Sequence, residues 1–126
     1  MPTATDAQDP RRKYPRIDLP KGGIAVGWRG GGKFGTSNIN SVSLGGVFIV
    51  TSDPAGAGSL LALIFDVPAG EVRARAVVKR SIPGKGMGVQ FINMSPEDRG
   101  RLYLLLSRLM KLTNGDAETP KQSPPA

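Results

Sequence analysis

The densest concentration of positive charge in the sequence is a short cluster, Arg11-Arg12-Lys13-Tyr14-Pro15-Arg16. Pro15 disfavours a helical conformation for the residue before it, so we expect an extended arm whose arginines are held by neither a helix nor a sheet. The planar guanidinium group of arginine donates paired hydrogen bonds to a phosphate or to the O6/N7 edge of guanine, and it stacks on bases. The cluster has the chemistry of a phosphate or guanine clamp, although a solvated basic linker has the same composition.

A second candidate is the serine- and glycine-rich stretch from Ser41 to Gly46. Ser41 and Ser43 occupy alternate positions of a predicted strand, so their side chains should point to the same face. Gly45 and Gly46 follow, and without Cβ atoms they let a ligand or the arm approach the backbone. Hydroxyls and free backbone amides can bind a purine edge or a phosphate. A strand end followed by a glycine turn shows the same pattern, so this segment alone does not establish a site.

Two missing residue types exclude several classes of function. The chain of 126 residues contains no histidine and no cysteine. It therefore has no Cys or His zinc site, no cysteine nucleophile, no His-based triad and no disulfide. The six acidic residues between Pro10 and Leu112 (10 in all, less four in the tails) show no metal-ligand spacing. We expect a binding protein rather than an enzyme, with no metal and no cofactor.

The net charge of +7 indicates an anionic partner such as nucleic acid, a nucleotide or an acidic membrane. Counting by segment gives about −3 for residues 1–9 and 113–126 together and about +10 for the part between them. No apolar run approaches the roughly 18 residues of a membrane span, and the N-terminus has no signal-peptide pattern. We expect a soluble, cytoplasmic protein without membrane insertion.

Composition and periodicity predict one domain between two disordered tails, residues 1–9 and 113–126. Six segments are predicted strands: Gly23 to Arg29, Lys33 to Val42, Gly46 to Thr51, Ser59 to Val67, Glu71 to Ser81 and Gly86 to Asn93. In the fifth strand, strict alternation assigns Val72, Ala74, Ala76 and Val78 to a buried face and Arg73, Arg75, Val77 and Lys79 to the outer face. Six short strands joined by turns favour an antiparallel barrel or sandwich.

One segment changes to the helical period and predicts a helix from Pro96 to about Leu112. It begins with an N-cap serine, a proline and two acids, and its apolar stripe then follows: Leu102, Leu105, Leu106 and Leu109. Further apolar residues widen that stripe, namely Tyr103, Leu104, Met110 and Leu112. The helix either closes one end of a barrel or, in addition, offers a face to another protein such as a second copy of the chain.

The arginine arm and the serine-glycine stretch, in this order and at this separation, resemble the two sequence elements of the PilZ domain, the bacterial receptor module for cyclic di-GMP (c-di-GMP). Arg11, Arg12 and Arg16 match its double arginine and R-x-x-x-R element, and Ser43 and Gly46 match the second element, (D/N)-x-S-x-x-G. Ser41 stands where the family has Asp or Asn. The resemblance covers residues 10–112 and includes the last strand, from Gly86 to Phe91.

The resemblance implies an all-β fold, a six-stranded antiparallel barrel with a C-terminal helix. The domain would comprise an arginine arm at 10–18, a barrel at 22–93 and a helix at 96–112. The implied ligand is c-di-GMP, with the arginines of the arm on its phosphates and guanines and a second set of residues on the barrel side: Ser41, Ser43, Gly45 and Gly46. Binding would order the arm and pass a signal to a signalling or motility protein without catalysing a reaction.

Two other functions stay open at this level. A serine at position 41 lacks the amide or carboxylate that holds a guanine edge with two hydrogen bonds, so the domain could be an adaptor that binds proteins and not the nucleotide. A small barrel that binds RNA or single-stranded DNA would also suit the charge. Such barrels need exposed aromatic residues for base stacking, and aromatic residues make up only 6% of this chain.

Overall fold

The computed structural model describes residues 16–20 and 22–122, with side chains as far as Lys111. These residues form seven strands and one helix in the following order: β1 (Ile17–Asp18), β2 (Ile24–Gly30), β3 (Lys33–Val42), β4 (Gly46–Val50), β5 (Leu60–Val67), β6 (Gly70–Ile82), β7 (Gly86–Asn93) and α1 (Pro96–Gln122). All six predicted strands are present, with ends that agree to within one residue. The short strand β1 was not predicted as a strand.

The strands close into a barrel. Around the sheet the order is β3, β2, β5, β6, β7 and β4, and β4 pairs again with β3. Every pairing is antiparallel. The fold is therefore a six-stranded antiparallel barrel with a C-terminal helix, as the sequence resemblance implied. Closure pairs both edges of each barrel strand, which removes the free sheet edges at which chains otherwise associate.

The barrel core follows the period of two predicted for strands. In β6, Val72, Ala74, Ala76 and Val78 are buried while Arg73, Arg75 and Lys79 are exposed, as expected. Buried residues of the other strands complete the core, among them Val26, Ile39, Ile49, Leu61, Leu63, Phe65, Met87 and Val89. The inner faces of the strands hold the barrel together, and the outer faces carry the charge.

The helix α1 begins as the sequence predicted. The Ser95 hydroxyl accepts a hydrogen bond from the Asp98 amide at 3.0 Å, which satisfies one of the unpaired amides of the first turn. Arg101 Nη1 donates to the Asp98 carboxylate at 2.8 Å and to the Glu71 carbonyl at 3.3 Å. The contact with Glu71 ties the first turns of α1 to the start of β6.

The apolar stripe of α1 packs onto the barrel. Leu102, Leu105, Leu106 and Leu109 are all buried and belong to the same core cluster as the strand residues. The additional apolar residues Tyr103, Leu104 and Met110 are exposed on the other side. The helix is thus a lid on the barrel, and it also has an exposed apolar side.

The helix ends at Gln122 rather than at the predicted Leu112, so it extends ten residues further into the segment 113–126 that composition predicts to be disordered. A helix that is already formed gains one hydrogen bond for each residue added, so residues of modest propensity such as Thr113 and Asn114 need not end it. Pro120, which lacks an amide hydrogen, comes only in the last turn. Throughout residues 16–20 and 22–122, no helix has both the length and the apolar character of a membrane span.

Shortening a side chain to alanine should change the free energy of unfolding differently on the two sides of α1. Leu102 is 0% exposed, whereas Leu104 is 58% exposed on the same helix. Leu102→Ala should lower the free energy of unfolding by about 2–5 kcal/mol, because it removes packed atoms and leaves a cavity. The matched variant Leu104→Ala should change it by less than about 0.5 kcal/mol. Urea unfolding followed by circular dichroism measures both, and equal losses would contradict the position of the helix.

Candidate functional site

Residues 16–19, which precede the barrel, lie against the end of β3. Ile17 pairs with Val42 and Asp18 with Ser41, at the part of β3 that extends beyond its pairing with β2. This antiparallel pairing brings Arg16 beside Ser41, and Arg16 Nη1 donates a hydrogen bond to Ser41 Oγ at 3.1 Å. The two motifs, 25 residues apart in sequence, are therefore in direct contact.

The base of the arm is anchored by backbone and apolar contacts. The amide of Leu19 donates to the carbonyl of Asn40 at 2.9 Å. Ile17 and Leu19 are half-buried and pack against the barrel core. The sequence analysis missed this strand, although the alternation of Ile17 and Leu19 was a signal for it. The anchor holds Arg16 at the barrel surface, just outside β1.

A β-bulge determines which side chains of β3 face the core. The pairing of β3 with β4 shifts register between Ile39 and Ser41, so Asn40 is the extra residue. Asn40 is exposed, whereas Ser41 is only 6% exposed and receives the Arg16 hydrogen bond. At this bulge it is the side chain of Ser41, and not that of Asn40, that receives the Arg16 hydrogen bond.

Ser43 holds the turn between β3 and β4. Its hydroxyl accepts hydrogen bonds from the amides of Gly45 at 3.0 Å and Gly46 at 3.1 Å, and it donates to the Gly46 carbonyl at 3.3 Å. The Ser43 amide also donates to the Gly46 carbonyl, at 2.9 Å. The amides that the sequence suggested were free for a ligand are therefore engaged within the turn, since a serine hydroxyl can serve as donor and acceptor at once.

The two glycines let β4 approach β7 closely. Gly46 is paired with Gln90, and a Cβ atom placed on Gly46 would overlap the carbonyl oxygen of Val89. The Gly45 carbonyl accepts a hydrogen bond from the Phe91 amide at 2.8 Å. Gly46 is thus required by the strand packing itself. The sequence did not show this, because a glycine needed for close packing and one needed for ligand access look identical.

In the described residues this region is a surface that carries one positive and one negative side chain, Arg16 and Asp18. Arg16 is exposed beside β3, and Ser41 and Ser43 are buried beneath it at 6% and 4% exposure. Arg11 and Arg12, the other predicted clamp residues, lie outside the described residues. Over the described ranges, no group of three or more acidic side chains is placed to hold a metal ion.

The model of the PilZ domain family matches residues 10–108, which include both motifs and all seven strands. The chain belongs to the PilZ domain family. The PilZ domain is a non-catalytic binding domain, so the expectation that the chain is not an enzyme is confirmed. None of the curated proteins compared with this PilZ domain matches it in sequence.

Solved structures of other PilZ proteins share the barrel. The PilZ domain of Escherichia coli YcgR with c-di-GMP has a TM-score of 0.64 at 20% identity, over 86% of this chain and 98% of that one. The Bacillus subtilis inhibitor of motility MotI/DgrA has a TM-score of 0.66 at 21% identity, over 80% of this chain and 52% of that one. The K. pneumonia MrkH complex with c-di-GMP has a TM-score of 0.62 at 22% identity, over 83% of this chain and 54% of that one.

These comparisons establish the fold of the chain as that of a PilZ domain. The chain spans nearly all of the isolated YcgR domain but only about half the length of the MotI/DgrA and MrkH chains. The shared unit is therefore the PilZ domain, and not the larger MotI/DgrA and MrkH chains.

The contact between Gly46 and β7 predicts that replacing Gly46 by alanine lowers the stability more than replacing a glycine with open space around it. Gly46→Ala should lower the free energy of unfolding by roughly 1–3 kcal/mol, because the new methyl group would push β4 away from Val89. Gly56 has no neighbouring atom within 4 Å of the corresponding position. Gly56→Ala should therefore change the stability by less than about 1 kcal/mol.

Thermal and urea unfolding of both variants test this difference. If Gly46→Ala is as stable as Gly56→Ala, the close approach of β4 to β7 is not a constraint, and Gly46 is left with a role in ligand access alone.

Proposed function

We propose that this PilZ domain is a c-di-GMP receptor in which the arginine arm and the end of β3 bind the ligand from two sides. The observation that carries the proposal is the contact between the two motifs, Arg16 Nη1 to Ser41 Oγ at 3.1 Å. This contact supports the proposal because an arginine, a side chain suited to binding phosphate, lies against the barrel position from which the family's second motif begins. The PilZ domain of YcgR and the MrkH protein, both solved with c-di-GMP, support the choice of ligand.

Arg16 has the chemistry and the position for an anionic ligand. Its guanidinium group is planar and carries five donors, so it can bind a phosphate or the O6/N7 edge of guanine through two parallel hydrogen bonds. Its hydrogen bond to Ser41 orients the group at the barrel surface before a ligand arrives. Arg11 and Arg12 would complete the clamp. Three guanidinium groups would then share a ligand that has two phosphates and two guanines.

The barrel-side residues would act in different ways. Ser41 is the nearest to the arm, and its hydroxyl would orient Arg16 and offer one hydrogen bond to the ligand. Ser43, Gly45 and Gly46 would act mainly by shaping the turn between β3 and β4, since their polar groups already bind one another. The surface next to Arg16 is therefore preformed, which reduces the entropy that binding must overcome.

Signal transfer would begin at the arm. Its base is fixed to β3 through Ile17, Asp18 and Leu19, so ligand binding would order the arginine arm from this anchor outward. An ordered arm presents a new surface beside the barrel to a signalling or motility protein. Because c-di-GMP is a bacterial second messenger inside the cell, the receptor would act in the cytoplasm.

An adaptor that binds proteins without the nucleotide is the second candidate. Ser41 in place of Asp or Asn favours it, because one hydroxyl cannot make the two hydrogen bonds of an amide or carboxylate. The exposed Tyr103, Leu104 and Met110 on α1 also suit a protein contact, including a homodimer. A nucleic-acid barrel is less well supported, since Trp28 and Phe65 are buried and, of the described strand aromatics, only Phe34 is largely exposed.

Replacing Arg16 tests whether its guanidinium group binds c-di-GMP. Arg16→Ala should weaken c-di-GMP binding by about 1.5–3 kcal/mol, roughly 10- to 150-fold, the usual contribution of a hydrogen bond to a charged group. Arg16→Lys keeps the charge but not the fork and should give an intermediate loss. Lys85→Ala, an exposed cation at the turn between β6 and β7, is the matched control and should bind normally.

Isothermal titration calorimetry with c-di-GMP, and with a linear dinucleotide as the ligand control, measures these affinities. Wild-type affinity in Arg16→Ala would remove Arg16 from the site. No binding by the wild-type protein at high c-di-GMP concentration would favour the adaptor function instead.

The serine at position 41 gives a separate prediction. Ser41→Asn restores an amide at the position where the family has Asp or Asn, and it should tighten c-di-GMP binding by roughly 1 kcal/mol, the net value of an added hydrogen bond. Ser41→Ala removes the acceptor for Arg16 and should weaken binding. The same titrations report both variants, and unchanged affinity in each would mean that residue 41 does not contact the ligand or position Arg16.

A further inference from the structure

The outer face of β5 is apolar, although it faces away from the core. Leu60 is 62% exposed and Ile64 is 41% exposed, and the half-buried Ala62 lies between them on the same face. We call these three residues the β5 ridge. Gly27 of β2, which pairs with Ile64, has no side chain to cover it. Aliphatic side chains in a row on a strand surface indicate a contact area, whereas single exposed ones do not.

Two arginines flank the centre of the ridge, and a third, Arg73, flanks its Ile64 end. Arg29 of β2 and Arg75 of β6 both pair with Ala62, one from each side. Neighbouring strands are about 4.8 Å apart, so the two arginines lie roughly 10 Å from each other across the ridge. Among the described residues, neither arginine is within ion-pair distance of a carboxylate, whereas Lys33, Arg73 and Arg101 each pair with one. Arg29 and Arg75 are thus available to an external acid.

Barrel closure limits how a partner can bind here. Both edges of β5 are hydrogen-bonded, to β2 and to β6, so a partner strand cannot extend the sheet at this position. Contact must therefore be made by side chains alone. From Leu60 to Ile64 the ridge is about 13 Å long, which corresponds to roughly two and a half turns of an α-helix.

We propose that the β5 ridge with Arg29 and Arg75 is the docking surface for an acidic amphipathic helix of a partner protein. Apolar residues of the helix at positions i, i+4 and i+7 would cover Leu60, Ala62 and Ile64. Glu or Asp residues on both sides of that stripe would pair with the two arginines. The proposal rests on the proposed function in one respect: the partner is taken to be the protein that receives the signal. The β5 ridge shares no residue with the arm site.

The charges on this face disfavour other occupants. Two copies of the chain packed on this face about a two-fold axis through Ala62 would bring four arginines together, and the acids of this face, Asp66 and Glu71, lie beyond the Ile64 end of the ridge. Single-stranded nucleic acid binds to platforms on which successive bases stack on aromatic residues, and beside the ridge the described residues offer one exposed aromatic side chain, Phe34, which pairs with Arg29. An anionic membrane binds clusters of several basic residues, each contributing about 1 kcal/mol, whereas three flank the ridge and one of them, Arg73, already pairs with Glu71.

A pair of synthetic helical peptides tests the proposal on the full chain. One peptide has leucines at i, i+4 and i+7 flanked by glutamates, and the other has lysines in place of the glutamates. Fluorescence anisotropy should show saturable binding of the acidic peptide and not of the basic one. Arg75→Glu and Ile64→Ser should each weaken binding roughly five- to tenfold, as expected for a reversed ion pair and a lost apolar contact.

Two variants serve as matched controls. Val50→Ser removes an aliphatic side chain of similar exposure, 42%, from β4, and Lys85→Glu reverses a charge at the turn between β6 and β7. Both should bind the acidic peptide as the wild type does. All four variants should keep the wild-type response to c-di-GMP, whatever that response is, so failure of this surface and failure of the nucleotide site can be told apart.

Three results would overturn the proposal. The first is the absence of saturable binding of the acidic peptide, or its persistence in both Arg75→Glu and Ile64→Ser. The second is that a single-stranded oligonucleotide or phosphatidylserine vesicles bind as tightly as the acidic peptide and lose this binding in Arg75→Glu and Ile64→Ser. That result would indicate a surface that binds anions in general. The third is a change of sedimentation coefficient in Ile64→Ser, which would mean that a second copy occupies the ridge.

Discussion

Strand β3 carries the pairing on which the barrel and the candidate site both depend. One of its edges hydrogen-bonds first to β2 and then to β1, and its other edge pairs with β4 to close the barrel. The same few residues at its end therefore complete the barrel and hold the arm. Because Ser41 takes part in both pairings, the Arg16 side chain reaches the barrel at one defined position.

The second motif has a structural role that precedes any ligand. The Ser43 hydroxyl satisfies two glycine amides, and Gly46 allows β4 to lie against β7. A substitution at either position would alter the surface next to Arg16 by moving the turn, even if the residue never touched a ligand. Loss of binding in such variants is therefore weak evidence for direct contact, whereas Arg16 and Ser41 can be tested with less effect on the fold.

The positive charge of the chain divides into groups with different surroundings. Lys33, Arg73 and Arg101 form ion pairs with Asp53, Glu71 and Asp98 at 2.7–2.8 Å, and exposed pairs of this kind contribute little to stability. Arg16 lies at the arm site, and Arg29 and Arg75 flank the β5 ridge. Part of the excess charge that first suggested a general affinity for polyanions thus lies on two separate surfaces with different neighbouring side chains.

Local patterns in the sequence were sufficient for the six barrel strands and for the start of α1. Alternation in β6 correctly assigned the buried and exposed faces, and the N-cap at Ser95 correctly placed the start of α1, because both depend on residues a few positions apart. The end of α1 was predicted ten residues too early, since local composition does not measure how far a formed helix continues. The two motifs also pointed to the PilZ family before any contact was known.

The sequence by itself determined the strands, the lid face of the helix and the residue types available to bind an anion. Only the tertiary structure decided that Arg16 meets Ser41, that the Gly45 and Gly46 amides bind Ser43, and that Arg29 and Arg75 stand on either side of Ala62. The physical reason is that strand register and the bulge at Asn40 are set by the packing of the whole barrel. No pattern within one segment contains that information.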